Sequence, residues 1–120
     1  MASILVHLTH GPEHPTRAAL GFLVAKAAID EGHSVTMFLA GDAVQLIRDG
    51  VLDNLVGLGT GNLRELFNAI AASGSKIYLS GMSSKARGLD PQAVAGKPVE
   101  MAMPNVLVKL ALQHDRMFTY

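Results

Sequence analysis

The chain contains no cysteine, which rules out disulfides and thiolate metal sites. It has no surplus of either charge, since ten Lys and Arg face ten Asp and Glu. No basic stripe is present, so nucleic acid is not an expected partner. Charged residues are scarce, at 17%, yet no apolar run reaches the ~20 residues that span a bilayer. The longest uncharged stretch of the first helical segment, residues 18–25, lies between Arg17 and Lys26. Met1-Ala2-Ser3 runs straight into a strand, without a signal-peptide pattern. The expected compartment is therefore the cytoplasm, and no membrane partner is expected.

What is present is apolar. Hydrophobic residues fill 49% of 120 positions, and the mean hydropathy is +0.29. A single small domain has much surface and little interior. The surplus points to a sheet buried on both faces, and also to contact with further copies in a closed homo-oligomer.

Residues 3–9 read as a buried strand, broken by His10-Gly11-Pro12-Glu13-His14. Pro15 suits the first turn of a helix that runs to about Glu31. Leu20, Val24, Ala27 and Ala28 are its expected apolar face. Gly21 costs ~1 kcal/mol there against Ala, or permits close packing on the sheet. Gly32 is the expected left-handed cap. Residues 34–40 form the second strand, and Asp42 is the expected N-cap of a short helix over 43–48, closed by Gly50. Residues 51–62 read as a loop. Asn62 and Glu65 resemble a capping box opening a helix over 63–73, with Leu66, Phe67 and Ile70 inward.

Residues 76–80 are the third strand. A helical turn or two follows over 82–87, stopped by Gly88, then a short turn from Asp90-Pro91 to Gly96. Residues 99–103 are the fourth strand. Pro104 opens a helix to about His114, with Val106, Leu107, Leu110 and Ala111 apolar, and 116–120 form a last short strand. Alternating strands and helices predict one α/β domain over 1–120. It is a three-layer α/β/α sandwich with a mostly parallel sheet of about five strands.

Ligands of such sheets bind at the carboxyl ends of strands, near a topological switch point. Three loops there hold candidate residues: His10, Gly11 and His14 with Thr16 and Arg17; Gly41 and Asp42; and Ser80, Gly81, Met82 and Ser83 with Arg87. Helix N-terminal amides favour anions, and Arg17 or Arg87 could add a forked donor for carboxylate, phosphate or sulfur oxyanion. Equally, Arg17 is a solvated first-turn residue, and Arg87 pairs with a local carboxylate such as Asp90.

Ser80 and Ser83 are also candidate nucleophiles, with His10 or His14 as base and Asp42 as orienter. The G-x-S-x-G elbow is absent, and the competing reading is that both serines cap the following turn. His7, His10, Glu13 and His14 cluster in sequence but lack an H-E-x-x-H spacing, so no metal site is expected, and His7 reads as structural. His33 and His114 sit beside helix C-termini, where the dipole accounts for them. The glycines of 57–62 do not follow a clear strand and no Walker lysine is present, so no nucleotide is implied. Met37, Met82, Met101 and Met103 read as core or interface fillers. No motif calls for a cofactor.

Three motifs carry a family resemblance. They are T-H-G-P-E-x-P-T-R-A-A over 9–19, G-H-x-V-x-x-F-L-x-G-D-A-V over 32–44 and Y-x-x-G-x-x-x-x-A-R-G over 78–88. In this order and spacing, over nearly the whole chain, they resemble the DsrE/DsrF-like (YchN-like) family. The resemblance implies a YchN-like α/β/α fold assembled as trimers, hexamers or larger rings. It also implies a loop at the third long strand where sulfur-relay members carry persulfide on cysteine. Here Ser80 and Ser83 stand in that loop. Serine forms no persulfide, and that transfer needs a thiolate. The resemblance therefore implies a relative without sulfur transfer. Such a protein would bind a small anionic metabolite or a sulfur-relay partner protein, or serve as a non-catalytic subunit beside a cysteine-bearing paralogue.

Overall fold

The computed structural model describes residues 1–120. Strand β1 is Ser3–Leu8, helix α1 Pro15–Asp30 and strand β2 Ser34–Leu39. A 3-10 segment, Gly41–Ile47, leads to helix α2, Asp49–Asn54. A small hairpin of β3, Val56–Gly57, and β4, Gly61–Asn62, precedes α3, Leu63–Ala72. Strand β5, Lys76–Ser80, is followed by α4, Gly81–Ala86, and α5, Pro91–Val94. Strand β6, Val99–Ala102, helix α6, Pro104–Gln113, and strand β7, Arg116–Thr119, complete the chain.

The main sheet has the order β6-β5-β2-β1-β7, and every neighbouring pair in it is parallel. Parallel strands need cover on both faces. Ile4, Val6, Leu8, Val35, Met37, Leu39, Ile77 and Leu79 point to one face and join a core of 22 buried residues with α1, α2, α3 and the 3-10 segment. On the opposite face Leu5, Phe38 and Ala102 pack beneath α6 alone, against its buried Leu110. One layer is therefore thick and the other thin.

The apolar face expected for α1 is corrected. Its buried residues are Ala18, Ala19, Gly21, Phe22 and Ala25, while Leu20 and Val24 are half-buried, Ala27 is exposed, and of the expected four Ala28 packs against the main core. The helix is apolar around most of its circumference, so spacing alone does not select a stripe. Gly21 is buried because the helix lies directly on β1. A Cβ there would sit 2.7 Å from the Leu8 side chain. On α6 only Leu110 is buried, and Ala111 faces outward.

Residues 51–62, expected to be a loop, instead hold most of α2 and the β3–β4 hairpin. Gly50 lies inside α2 rather than closing a helix. Leu52 and Leu55, buried in the main core, anchor this stretch, and ion pairs tie it at the surface. Asp49 bonds Lys97 Nζ and Arg64 Nη2, each at 3.0 Å, and Arg64 Nε bonds Asp53 at 2.7 Å. Lys97, and then Arg64, hold the Asp49 carboxyl below its usual range. Asn62 Oδ1 accepts the Glu65 N–H at 3.3 Å, the expected cap of α3. Asp42 does not cap the 3-10 segment. Ala40 occupies that position, without a side-chain cap.

His7 lies on the thin face with its ring edge against Phe38, centroids 6.0 Å apart. Its Nε2 is buried without a partner, and burial lowers its pKa.

Two outcomes follow. Gly21→Ala should destabilise by about 1–2 kcal/mol, because overpacking against Leu8 outweighs the helix-propensity gain; the shift in denaturation midpoint measures it. A histidine with a depressed folded-state pKa contributes stability that is intact above the unfolded value of about 6.5 and is lost as pH falls through the lower folded value. The stability of wild type relative to His7→Leu should therefore fall between pH 7.5 and 5, read from melting temperatures. A constant difference would assign the slope elsewhere.

Candidate functional site

The loops after β1, β2 and β5 meet at the carboxyl rim of the sheet. The first turns back on itself, with the Gly11 N–H donating to Glu13 Oε1 at 2.7 Å and the His14 N–H to the Gly11 carbonyl at 3.0 Å. Gly11 lies directly on the second loop. A Cβ at Gly11 would be 2.6 Å from the Asp42 carbonyl carbon and would overlap its oxygen. The second loop is held in turn by the third, because the Gly41 N–H donates to Ser83 Oγ at 2.9 Å. Ser80 Oγ accepts the Ser83 N–H at 3.2 Å and so caps α4. Arg87 Nε donates to Asp42 Oδ1 at 2.9 Å, and its Nη1 to the Ser83 carbonyl at 3.2 Å.

Ser80, Ser83, Gly41, Asp42 and Arg87 thus form one interlocked cluster, with Gly11 packed against it. The carboxylate expected for Arg87 is corrected from Asp90 to Asp42. Asp90 instead caps α5, its Oδ1 accepting the Ala93 N–H at 3.0 Å. Ser80 is buried, at 8% exposure, whereas the adjacent Met82 is 60% exposed. Ser84 Oγ is buried without a partner. Neither Ser80 nor Ser83 bonds a histidine. Ser80 ends β5, and β2 separates β5 from β1. Two inter-strand spacings, about 10 Å, part its strand from that of His10.

His10 and Arg17 belong to a second place. With Thr9, Leu20, Thr119 and Tyr120 they line a groove of about 500 Å³, the largest hollow of the molecule. The Thr9 N–H and hydroxyl both donate to the Tyr120 carbonyl, at 2.9 and 3.3 Å, which fixes the groove floor. His10 Nδ1 is buried without a partner, and its ring meets His14 edge-on at 5.5 Å. Thr16 is committed elsewhere, since its Oγ1 accepts the Leu58 N–H at 3.2 Å. Thr119 and Tyr120 carry no sequence signal for a site. Only the pairing of β7 with β1 brings them there.

The chain leaving β5 stays on the thick face, where Leu89 and Val94 pack, whereas α6, leaving β6, covers the thin one. The switch point therefore falls between β5 and β6. No hollow opens there, and a Cβ at Gly81 would make only ordinary contacts, 3.8 Å from both the Ala102 carbonyl and Met103 Sδ. No three His, Cys, Asp or Glu side chains gather as a metal site. No helix is long and apolar enough to cross a membrane.

The family model described as DsrE/DsrF-like matches residues 2–120. The chain belongs to the DsrE/DsrF-like family. Its fold is similar to the crystal structure of ychN protein from E. coli, at TM-score 0.81 and 19% identity over 100% of both chains. It is also similar to a conserved protein of unknown function, BT1422, from Bacteroides thetaiotaomicron. That match has TM-score 0.70 and 10% identity over 99% of this chain and 95% of that one. No curated protein matches the sequence. At these identities the structures establish the fold alone. This DsrE/DsrF-like chain has the family's three-layer architecture without cysteine.

The serine bonds are testable. Ser80→Ala should cost about 1 kcal/mol through the lost cap. Ser83→Ala should cost about 1–2 kcal/mol by leaving the Gly41 N–H unpaired. Ser83→Cys should lose as much as Ser83→Ala, since sulfur is a weak acceptor. Urea midpoints check all three.

Proposed function

We propose that this DsrE/DsrF-like domain is an oligomeric, non-catalytic relative of the sulfur-relay proteins. It binds a small anionic ligand or a partner protein at the carboxyl rim of its sheet, in the cytoplasm. One observation carries the reading: both loop serine oxygens accept backbone N–H bonds, while Arg17 at the same rim has no carboxylate partner. The rim keeps a cation for an anion and lacks an assembled nucleophile. A homotrimer or hexamer accords with the exposed Met82, Met101, Met103, Val108, Leu112, Met117 and Phe118, which accompany a net charge of zero. Uncharged apolar surface favours association of copies.

Two other readings remain distinct. A serine-dependent hydrolase or transferase using Ser80 or Ser83 requires a histidine base, and no histidine bonds either side chain. A non-catalytic subunit beside a cysteine-bearing paralogue is favoured by the exposed Met82 and Met103, which flank the serine loop and offer adaptable apolar contact.

Thermal-shift screening with acetate, benzoate, phosphate, sulfate and thiosulfate tests the leading reading. At least one anion should raise the melting temperature, and a fluorophosphonate should leave the protein unlabelled. Labelling abolished by Ser80→Ala or Ser83→Ala would establish catalysis instead. Size-exclusion chromatography with light scattering should give a trimer or hexamer, and a monomer at micromolar concentration would remove the assembly.

A further inference from the structure

Resting on the reading of a homo-oligomer, we infer that two copies of this chain join through strand β7. The two strands pair antiparallel about a two-fold axis at Phe118 and make one continuous sheet of both copies. β7 ends the main sheet and pairs with β1 alone, and it is exposed along its whole length. The ladder fixes which of its groups are free. Tyr120 donates its N–H to the His7 carbonyl and accepts the Thr9 N–H, both at 2.9 Å. Alternate residues of a paired strand turn their backbone groups to the same side. Phe118 therefore bonds β1 as Tyr120 does, and the N–H and C=O groups of Met117 and Thr119 point outward.

Folded proteins guard such edges with proline, lysine, a bulge or a covering element. β7 contains neither proline nor lysine, and its register with β1 runs unbroken. The opposite edge is guarded. Pro98 precedes β6, and the Val99 N–H is taken by the Lys97 carbonyl at 2.8 Å. The occupant of the β7 edge is a second copy because the strand is its own complement. With the axis at Phe118, Met117 stands opposite Thr119 of the other copy, and each such pair exchanges both backbone bonds. The two Phe118 residues then meet at the narrow position of the ladder, with Cα atoms about 4.5 Å apart. Phe118 is in register with Val6, on the thick face, and is 45% exposed. Aromatic pairs across strands stabilise beyond the area they cover. Asp115 and Arg116 cancel at the start of the strand and the chain has no net charge, so copies do not repel. Of the two assemblies proposed, a hexamer of dihedral symmetry contains two-fold axes and a trimer does not.

The absence of cysteine makes cross-linking specific, because a single introduced thiol meets only its own equivalent. Under copper–phenanthroline oxidation, Phe118→Cys should give a disulfide-linked dimer, since the spacing at the axis lies within disulfide range. Met117→Cys would lie about 8 Å from its equivalent, by strand rise and spacing, and Val108→Cys would stand 59% exposed on α6. Both should link at least tenfold more slowly. Thr119→Pro removes only an outward donor and should halve the mass in light scattering, as should Phe118→Lys, with the circular dichroism unchanged. In the wild type the Met117 and Thr119 amides should resist hydrogen exchange. Linkage at position 118 no faster than at position 108, or an unchanged mass in both mass variants, would overturn the β7 seam. Protected Met117 and Thr119 amides without the Phe118→Cys link would give the edge to a different strand and overturn the two-fold. A wild-type trimer would remove the seam and leave the assembly standing, whereas a monomer would remove both.

Discussion

The controlling constraint is burial of a parallel sheet on both faces. Its central strands, β1, β2 and β5, pair in one direction, and strands so joined need crossovers that return over a face. Leu5, Val6, Leu8, Met37, Leu39, Ile77 and Leu79 are fully buried, so those crossovers must carry helices. Every loop that leaves a strand then emerges at one rim. The gathering of the residues around Gly11, Gly41 and Ser83 is a geometric consequence of that arrangement.

At the rim, close packing decides the chemistry. Gly11 leaves no room for a side chain against Asp42, and Ser83 bridges β5 to the loop after β2 by accepting the Gly41 N–H. Oxygen is small and a good acceptor, and sulfur is neither. The serine oxygens therefore do structural service in the loop after β5. The Arg87–Asp42 pair, 28% and 52% exposed, adds little stability in water but fixes the direction of the loop.

The two faces of the sheet are unequal. The thick one is closed by α1, α2 and α3, and the thin one rests on α6, with Leu112 at 84% exposure on its outer side. Strand β7 is exposed along its length and carries Met117 and Phe118. This asymmetry follows from topology: the return from β6 to β7 spans the width of the sheet with a single helix of ten residues.

Element identity was legible from local chemistry. Apolar runs set the five long strands, Pro15, Pro104 and Asn62 marked helix starts, and the three motifs pointed to the family and its α/β/α fold. Local rules failed where long-range partners decide. Residues 51–62 are anchored by Leu52 and Leu55 in the main core and tied at the surface by Asp49, Arg64 and Lys97, which are far apart in sequence, and α1 shows no single stripe because it is apolar nearly all round. Ser80, Ser83, Gly41, Asp42 and Arg87 were legible as candidates, but their mutual bonds were not. The separation of His10 and Arg17 from them depends on strand order. Hydrophobic period and caps act within a few residues of chain, so the sequence by itself determined the elements and the absence of thiol chemistry. Pairing of β7 with β1 joins residues more than a hundred positions apart, and only the tertiary structure decided which side chains share a groove.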